Sequence, residues 1–249
     1  MLDAFDSDNP DDYVRGFPMH PHRGIETFTY LMEGEIEHQD SLGHLGTIES
    51  GSCQWMTAGS GILHQEMPRK SPRLLGLQLW LNLPAKNKMA EPRYHDIHKK
   101  DIPIVYEQGA EISVVAGEYS GHNGEIPGVA RGDYLPLTFF DVRLEPGAEW
   151  EWLPREYDTV FAYTVQGELF SRAHTAEREI SARRAALFSE SGAVRLRSGD
   201  EGCRFVIAAA PAVKESVAWG GPIVMNTEQE LRQAFQELQS GTFSRHDPV

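Results

Sequence analysis

The chain has 249 residues, enough for one large domain or two domains of ordinary size, each with a buried core. Its formal net charge of -14 at pH 7 repels phosphate backbones and anionic membrane surfaces, and no basic stripe offsets this charge. We therefore expect neither direct nucleic-acid binding nor membrane association.

The amino terminus and the cysteines indicate a cellular location. The first six residues lack the basic and apolar regions of a signal peptide, and no apolar run is long enough to cross a bilayer. Cys53 and Cys203 lie far apart in strand-like segments, which argues against a disulfide scaffold. We expect a soluble protein of the reducing cytoplasm, in which the Cys53 thiol is buried and inert.

Two histidines form the first chemically distinctive motif. His20 and His22 are two residues apart, so their imidazoles project from the same side of an extended strand. A lone motif of this kind is common and is often no more than an exposed polar pair. It becomes half of a metal site only if a second pair of ligands faces it.

A second pair with the same spacing follows a glycine-rich, apolar segment. His64 and Glu66 supply an imidazole and a carboxylate, and polar groups buried in such surroundings need a compensating partner. If neighbouring strands bring the two pairs together, three neutral nitrogens and one anionic oxygen surround a single ion. This set suits a divalent first-row transition metal and is too rich in nitrogen for magnesium or calcium.

Period-two patterns dominate the rest of the chain. The clearest covers residues 75–83, where leucine occupies every second position and gives the strand one fully apolar face. The other predicted strands are short and are separated by Gly, Pro, Asn and Asp, as in β-sandwiches and small barrels. They cover residues 27–33, 35–40, 53–56, 112–116, 137–144, 160–165, 194–197 and 204–208.

One helix is predicted over residues 227–240. Thr227 and Glu230 have the spacing of a capping box, and Gly241 stands where a carboxyl-terminal cap belongs. Four apolar residues share one face of this helix, namely Leu231, Ala234, Phe235 and Leu238. We therefore interpret the helix as a packing element rather than a functional one.

A weak internal repeat relates the two halves of the chain. Residues 28–36 and 161–169 share aromatic, Gly-Glu and aliphatic positions at equal spacing. The same alignment places Leu153 on His20 and Arg155 on His22. If the repeat reflects a duplication, the chain holds two similar β-barrels, and only the first keeps metal ligands.

The expected domain organisation follows from this repeat. Residues 1–117 form the metal-binding domain, and the glycine-rich residues 118–132 form a junction. Residues 133–249 form a second barrel without metal ligands, and it ends in the helix 227–240.

Several motifs resemble the pirin family, a branch of the cupin superfamily. They occupy residues 20–27, 33–38, 40–43, 54–59, 64–68 and 221–227. The resemblance implies an all-β bicupin fold, with two β-barrel or jelly-roll domains and a carboxyl-terminal helix. It also implies that the amino-terminal barrel binds iron through the residues matching His20, His22, His64 and Glu66.

Two features depart from the family pattern. The first domain is short at its amino terminus relative to pirins, so either its start is abbreviated or its barrel closes differently. We expect the strand edge beside the site to be exposed or paired with another chain. Glu26 stands where many cupins place a carboxylate ligand. The resemblance implies instead that the carboxylate two residues after the third histidine binds the metal, so we assign Glu66 as the ligand. Glu26 is then expected to be a strand residue or a support for the ligands, with metal binding by Glu26 as the lesser alternative.

The resemblance implies two alternative functions. Some pirins resemble quercetin 2,3-dioxygenases, which open a flavonol ring with dioxygen and release carbon monoxide; Glu66 would then accept the proton of the substrate hydroxyl. The expected pocket lining is Phe17, Met19, Met56, Leu63 and Met67. Other pirins are described as non-catalytic iron-binding regulators that bind a protein partner in a metal-dependent or redox-dependent way.

The expected ligands also indicate which metal is bound and which of the two functions is favoured. Iron(II) is expected by resemblance, with manganese, nickel, copper, cobalt and zinc as alternatives. Four protein ligands leave part of the coordination sphere open, which favours the enzyme and a small aromatic substrate such as a flavonol.

Overall fold

A computed structural model of the chain describes residues 1–122, 124–155, 158–173, 176–188 and 192–245. It shows a mostly β protein with two cupin-like units and a carboxyl-terminal helix, which confirms the predicted fold class. The first unit comprises residues Met1–Lys99 and the chain from Val213 onward, and the second comprises Lys100–Ala212.

The first unit contains two antiparallel sheets. The five-stranded sheet has the order β1 (Leu2–Ser7), β8 (Leu74–Asn82), β3 (Ile25–Glu33), β6 (Cys53–Thr57) and β9 (Arg93–Ile97). The four-stranded sheet has the order β2 (Phe17–His22), β7 (Ile62–Pro68), β4 (Glu35–Asp40) and β5 (Leu45–Glu49). A single-turn helix, α1 (Pro10–Tyr13), follows β1, and two short 3-10 helices cover Ala85–Asn87 and Lys99–Asp101.

Burial along these strands follows their position in the sheets. The central strand β3 is buried along nearly its whole length, since both its edges are paired and both its faces are covered. Strand β7 instead alternates between buried and half-buried residues, with its buried face toward the interior of the unit. The leucine-rich pattern also forms a strand, as predicted, and this strand is β8.

The second unit is formed mainly by one sheet. Its order is β10 (Ile104–Glu107), β11 (Ala110–Ala116), β14 (Thr138–Leu144), β19 (Val194–Pro211), β16 (Asp158–Ala173) and β17 (Ala176–Ser181). Strand β15 (Glu149–Trp152) also pairs with β19, and β18 (Ala185–Phe188) pairs with β16. A separate hairpin joins β12 (Glu118–Gly121) to β13 (Gly124–Pro127). Large aromatic side chains fill the core, including Phe140, Trp150, Trp152 and Phe205.

The first unit is completed by the carboxyl-terminal segment. It contains a two-stranded ribbon of β20 (Ala218–Gly220) and β21 (Ile223–Met225), followed by helix α2 (Glu228–Ser240). The predicted capping box is confirmed, because the Thr227 hydroxyl accepts from the Glu230 amide while the Glu230 carboxylate accepts from the Thr227 amide. Within the described residues, no helix combines the length and apolar character needed to cross a bilayer.

The division into units differs from the expected domain boundaries of 1–117, 118–132 and 133–249. Strands β10 and β11, expected in the first domain, pair within the sheet of the second unit. The expected junction holds the β12–β13 hairpin of the second unit, and α2 packs with the first unit rather than the second. The expectation followed chain order, whereas strand pairing and packing join segments that lie far apart in sequence.

The carboxyl-terminal segment packs closely against the backbone of Gly24. Its φ is +76°, and a Cβ atom at this position would overlap the carbonyl oxygen of Val224. Gly241 has nearly the same φ, +75°, but open space around it. We expect Gly241→Ala to lower the free energy of unfolding by about 1 kcal/mol, the cost of a left-handed backbone, and Gly24→Ala to lower it by more.

Urea unfolding of the two variants, compared with that of the unmodified chain, measures this difference. Equal losses would show that the Val224 carbonyl does not pack against Gly24.

Candidate metal centre

Strand pairing brings three of the four predicted ligands together and places the fourth, Glu66, on the same strand as His64. Strands β2 and β7 are antiparallel neighbours, and their register places His20 opposite His64. Residues directly opposite each other project from the same face, and so do residues two apart on one strand. His22 therefore lies on the face of His20, and Glu66 lies on the face of His64.

The three histidines form a compact group. Their ring centroids are 4.4 Å apart for His20 and His64, 4.9 Å for His20 and His22, and 5.1 Å for His22 and His64. One potential ligand nitrogen from each ring lies within 4.8 Å of the other two. His22 and His64 are each only 1% exposed, and His20 is half-buried.

Two hydrogen bonds determine which nitrogens of His20 and His22 can bind a metal. The Nδ1 atoms lie 2.9 Å from the Pro18 carbonyl and 3.3 Å from the Pro222 carbonyl, respectively. Because a carbonyl oxygen only accepts, each Nδ1 carries a proton and each neutral ring presents a lone pair at Nε2. These two Nε2 atoms are 3.2 Å apart, a distance at which lone pairs repel unless a cation lies between them.

A single metal ion fits this spacing. Two nitrogens bound at about 2.1 Å with tetrahedral or octahedral angles lie roughly 3.0–3.4 Å apart. The ring of His64 supports the same conclusion, since both its nitrogens are buried without a hydrogen-bond partner. A buried polar group without a partner is costly, and a bound cation would satisfy one of these nitrogens.

Burial keeps the imidazoles in the form that binds metals. It lowers the pKa of His22 to about 4 and the pKa of His64 well below its usual value, and neighbouring histidines add to both shifts. Both rings are therefore neutral at pH 7. Neutral imidazole is the ligand form, so metal binding at this pH needs no deprotonation of these two rings.

Glu66 lies outside the group of three histidines but faces the same cavity as His20 and His22. Both its carboxylate oxygens accept from Gln78 Nε2 at 3.1 Å, and Gln78 also donates to the Thr29 hydroxyl. The carbonyl oxygen of Gln78 in turn accepts from the Trp80 indole at 3.0 Å. Burial raises the pKa of Glu66 to about 7, against the opposing effect of these hydrogen bonds.

A cavity of about 530 Å³ opens beside these residues. Its surface is mainly apolar, and besides the polar groups above it is lined by Phe5, Tyr13, Phe17, Ile36, Leu74, Trp80, Gly221 and Pro222, among others. Acidic and basic side chains also reach it, namely Asp3, Asp12 and Arg15.

The expected pocket lining is mostly wrong. Of the five predicted residues only Phe17 lines the cavity. Leu63 and Met67 alternate with His64 and Glu66 along β7 and therefore lie on its opposite face. Met56 is fully buried in an apolar cluster with Ile25 and Ile62, and Met19 lies on β2 with its side chain about half exposed.

The polar residues beside Glu66 could have been found from the sequence. Gln78 and Trp80 lie between the leucines of β8, so they project from the face opposite the apolar one. Thr29 lies opposite Gln78 in the β3–β8 pairing, which the strand pattern alone does not specify.

Four further residues of the sequence analysis do not belong to the group of three histidines. Glu26 is fully buried and accepts a 2.8 Å hydrogen bond from the Thr57 hydroxyl across the β3–β6 pair. Cys53 is free and buried, and burial raises the pKa of its thiol far above the usual range, so the thiol is inert as expected. Leu153 and Arg155, which the repeat aligns with His20 and His22, are both exposed.

Comparison with known proteins gives consistent results over nearly the whole chain. A family profile described as Pirin matches residues 1–81, and one described as Pirin C-terminal cupin domain matches residues 139–244. A Pseudomonas aeruginosa protein named "Putative quercetin 2,3-dioxygenase" is 41% identical, with 98% of this chain and 86% of that protein covered. Pirin of Homo sapiens is 36% identical, with coverages of 96% and 80%.

A solved structure supports the same relationship. The crystal structure of a quercetin 2,3-dioxygenase from Acinetobacter baumannii superimposes with a TM-score of 0.86 at 32% sequence identity. The superposition covers 98% of this chain and 85% of that one.

The shifted pKa of Glu66 predicts an unusual pH dependence of the metal-free protein. The carboxyl ionises near pH 4.5 when unfolded but only near pH 7 when folded, so the folded state binds the extra proton between these values. The contribution of this group to stability therefore falls as pH rises from 4.5 to 7. We expect metal-free Glu66→Gln to unfold like the unmodified chain at pH 4, and to be more stable at pH 8 by up to about 3 kcal/mol.

Urea unfolding in the presence of a chelator, at both pH values, measures this difference. Glu228→Gln is the control, since Glu228 is exposed at the start of α2. A Glu66→Gln variant that is less stable than the unmodified chain at pH 8 would contradict the prediction.

Proposed function

Because the chain belongs to the pirin family of cupin proteins, we propose that it is a metal-dependent dioxygenase of the quercetin 2,3-dioxygenase type. One observation carries this proposal: three imidazoles, the two most buried of them neutral at pH 7, converge beside a mainly apolar cavity of about 530 Å³. Cavities of this size commonly bind small organic molecules. A flavonol is a flat aromatic molecule that this volume and lining suit.

The proposed metal ligands are His20, His22, His64 and Glu66, with iron(II) as the proposed ion. Manganese, nickel, copper, cobalt and zinc suit the same nitrogen and oxygen donors. A bound ion of this kind supplies the Lewis acidity toward a substrate hydroxyl and the reactivity toward dioxygen that side chains lack.

Glu66 is the proposed proton acceptor for the substrate hydroxyl. Burial raises the pKa of Glu66 in the metal-free chain, and a bound cation would favour the carboxylate form that accepts a proton. Gln78 donates to both oxygens of Glu66 and is itself held by the Trp80 indole, so two hydrogen-bonded side chains orient the carboxylate. This arrangement lets Glu66 receive a proton without a large rearrangement.

Aromatic residues of the cavity would bind the substrate rings and exclude water. Trp80 packs edge-on against His22, with ring centroids 5.0 Å apart, and so borders the metal ligands directly. Phe17 is 48% exposed and lies on β2 close to His20, where it can cover the outer end of a bound ring. Apolar contact of this kind provides affinity, while the polar groups determine orientation.

The second candidate is a non-catalytic, iron-binding regulator that binds a protein partner. One observation favours it: Phe17 and Met19 place two half-exposed apolar side chains on the strand that carries His20. A partner seated there would contact the residues that hold the metal. For either function we propose a cytoplasmic location, since Cys53 and Cys203 are free and buried as a reducing compartment would leave them.

Aerobic incubation of the iron-loaded protein with quercetin tests the enzymatic proposal. We expect loss of the flavonol absorbance together with release of carbon monoxide. His64→Ala should abolish both by removing a ligand, and Glu66→Gln should lower kcat by about 100-fold or more, as for loss of a general base. No turnover above that of His64→Ala, in a protein that retains its iron, would favour the regulatory candidate.

Gln78 provides a second test of the site. We expect Gln78→Leu to lower kcat by about tenfold or more, since partners of ligands and bases are typically worth 10–100-fold. Gln65→Leu is the matched control, because Gln65 lies on the same sheet as Glu66 but on the outer face of β7. Steady-state kinetics on both iron-loaded variants measures the effect. Equal kcat values for the two variants would show that Gln78 has no role in the reaction.

A further inference from the structure

We propose that the carboxyl-terminal segment, residues 213–245, is a positioning element of the metal centre. It fixes the ring of His22 and is held in place by two buried cations, so its docking and metal binding stabilise each other. The inference rests on the metal centre of the proposed function but not on dioxygenase activity.

The segment contacts a proposed ligand directly. The Pro222 carbonyl accepts from Nδ1 of His22 at 3.3 Å, although the two residues are 200 positions apart. A metal-binding imidazole usually donates its second nitrogen to such an acceptor, which fixes the tautomer and the ring orientation. Gly221 and Pro222 also line the cavity, so the same turn provides part of its wall.

Backbone pairing determines where this carbonyl lies. Arg23 and Ile223 form a parallel β-bridge, and the Val224 amide donates to the Arg23 carbonyl at 3.0 Å. The residue after His22 is thereby aligned with the residue after Pro222. Any slippage of the segment would move the acceptor away from the imidazole.

Lys88 binds both the backbone that follows His22 and the backbone of the carboxyl-terminal segment. Its ammonium group donates to the Gly24 carbonyl at 2.8 Å, to the Val224 carbonyl at 2.7 Å and to the Asn82 side chain at 2.5 Å. The side chain is only 2% exposed, and burial lowers the pKa of Lys88 to about 8. A buried lysine that uses its three hydrogens in this way holds both backbones at a fixed separation.

Arg23 anchors the helix of the segment beside the site. Its guanidinium, in a side chain that is 2% exposed, donates to Glu237 at 2.7 Å and to the Phe243 carbonyl at 2.8 Å. It also lies 4.2 Å from the centre of the Phe243 ring. Glu237 therefore neutralises a buried cation that immediately follows His22 in the chain.

Loss of Glu237 would affect the metal through the docking of the segment. The helix would lose its charged contact with Arg23, and the buried guanidinium would lose a compensating charge. The Pro222 carbonyl would then be held less firmly beside His22, which lowers the affinity for metal. Linkage requires that bound metal strengthen docking by the same factor.

The first experiment measures cobalt(II) affinity of the full chain by competition with a coloured chelator. We expect Glu237→Gln to raise the Kd by about tenfold or more, since residues that support metal ligands are worth 10–100-fold. Glu228→Gln, which removes an exposed carboxylate from the same helix, should change the Kd by less than about twofold. Equal affinities of the two variants would overturn the proposal.

The second experiment needs no variant at Glu237. Hydrogen exchange of the unmodified chain, with and without cobalt(II), should show slower exchange in β21 and α2 when cobalt is added, and His64→Ala should abolish this effect. Unchanged exchange in a protein that binds cobalt would also overturn the proposal. Cobalt binding with the expected protection but without quercetin turnover by the iron-loaded protein would contradict the dioxygenase function alone.

Discussion

The antiparallel pairing of β2 with β7 is the constraint on which the site depends. It places His20 directly opposite His64, so a histidine from each strand projects from one interior face. Strand β7 also pairs with β4 on its other edge, which places it inside the four-stranded sheet and leaves β2 at the edge. A shift of one residue in this register would turn His64 and Glu66 toward the opposite face and separate the two ligand pairs.

Burial then determines the chemistry of the groups that the strands bring together. It favours neutral His22 and His64, whose lone pairs are then free for a cation, and it also raises the pKa of Glu66. The hydrogen bonds from Gln78 hold the Glu66 carboxylate in one orientation, and the Trp80 indole holds Gln78 in turn.

The two cupin-like units differ in their interiors. The first places three histidines and Glu66 beside a cavity, whereas the described part of the second is filled by aromatic and aliphatic side chains such as Phe140, Trp150 and Phe205. The carboxyl-terminal segment follows the second unit in sequence yet packs on the first, where Pro222 reaches His22. The position of a residue along the chain therefore does not indicate whether it contacts the proposed metal centre.

Local sequence determined the fold class, strands β3, β4, β6 and β8 of the first unit, the capping box of α2 and the two pairs of residues that we propose as metal ligands. These features depend on period-two alternation, capping chemistry and spacing within a few residues, which a linear pattern records directly. Only the tertiary structure decided the register of β2 with β7, the lining of the cavity and the contacts of Arg23 and Lys88 with the carboxyl-terminal segment. The physical reason is that alternation along a strand specifies only the face on which a side chain lies. The residues that contact this side chain depend on packing and hydrogen bonding among segments up to 220 residues apart.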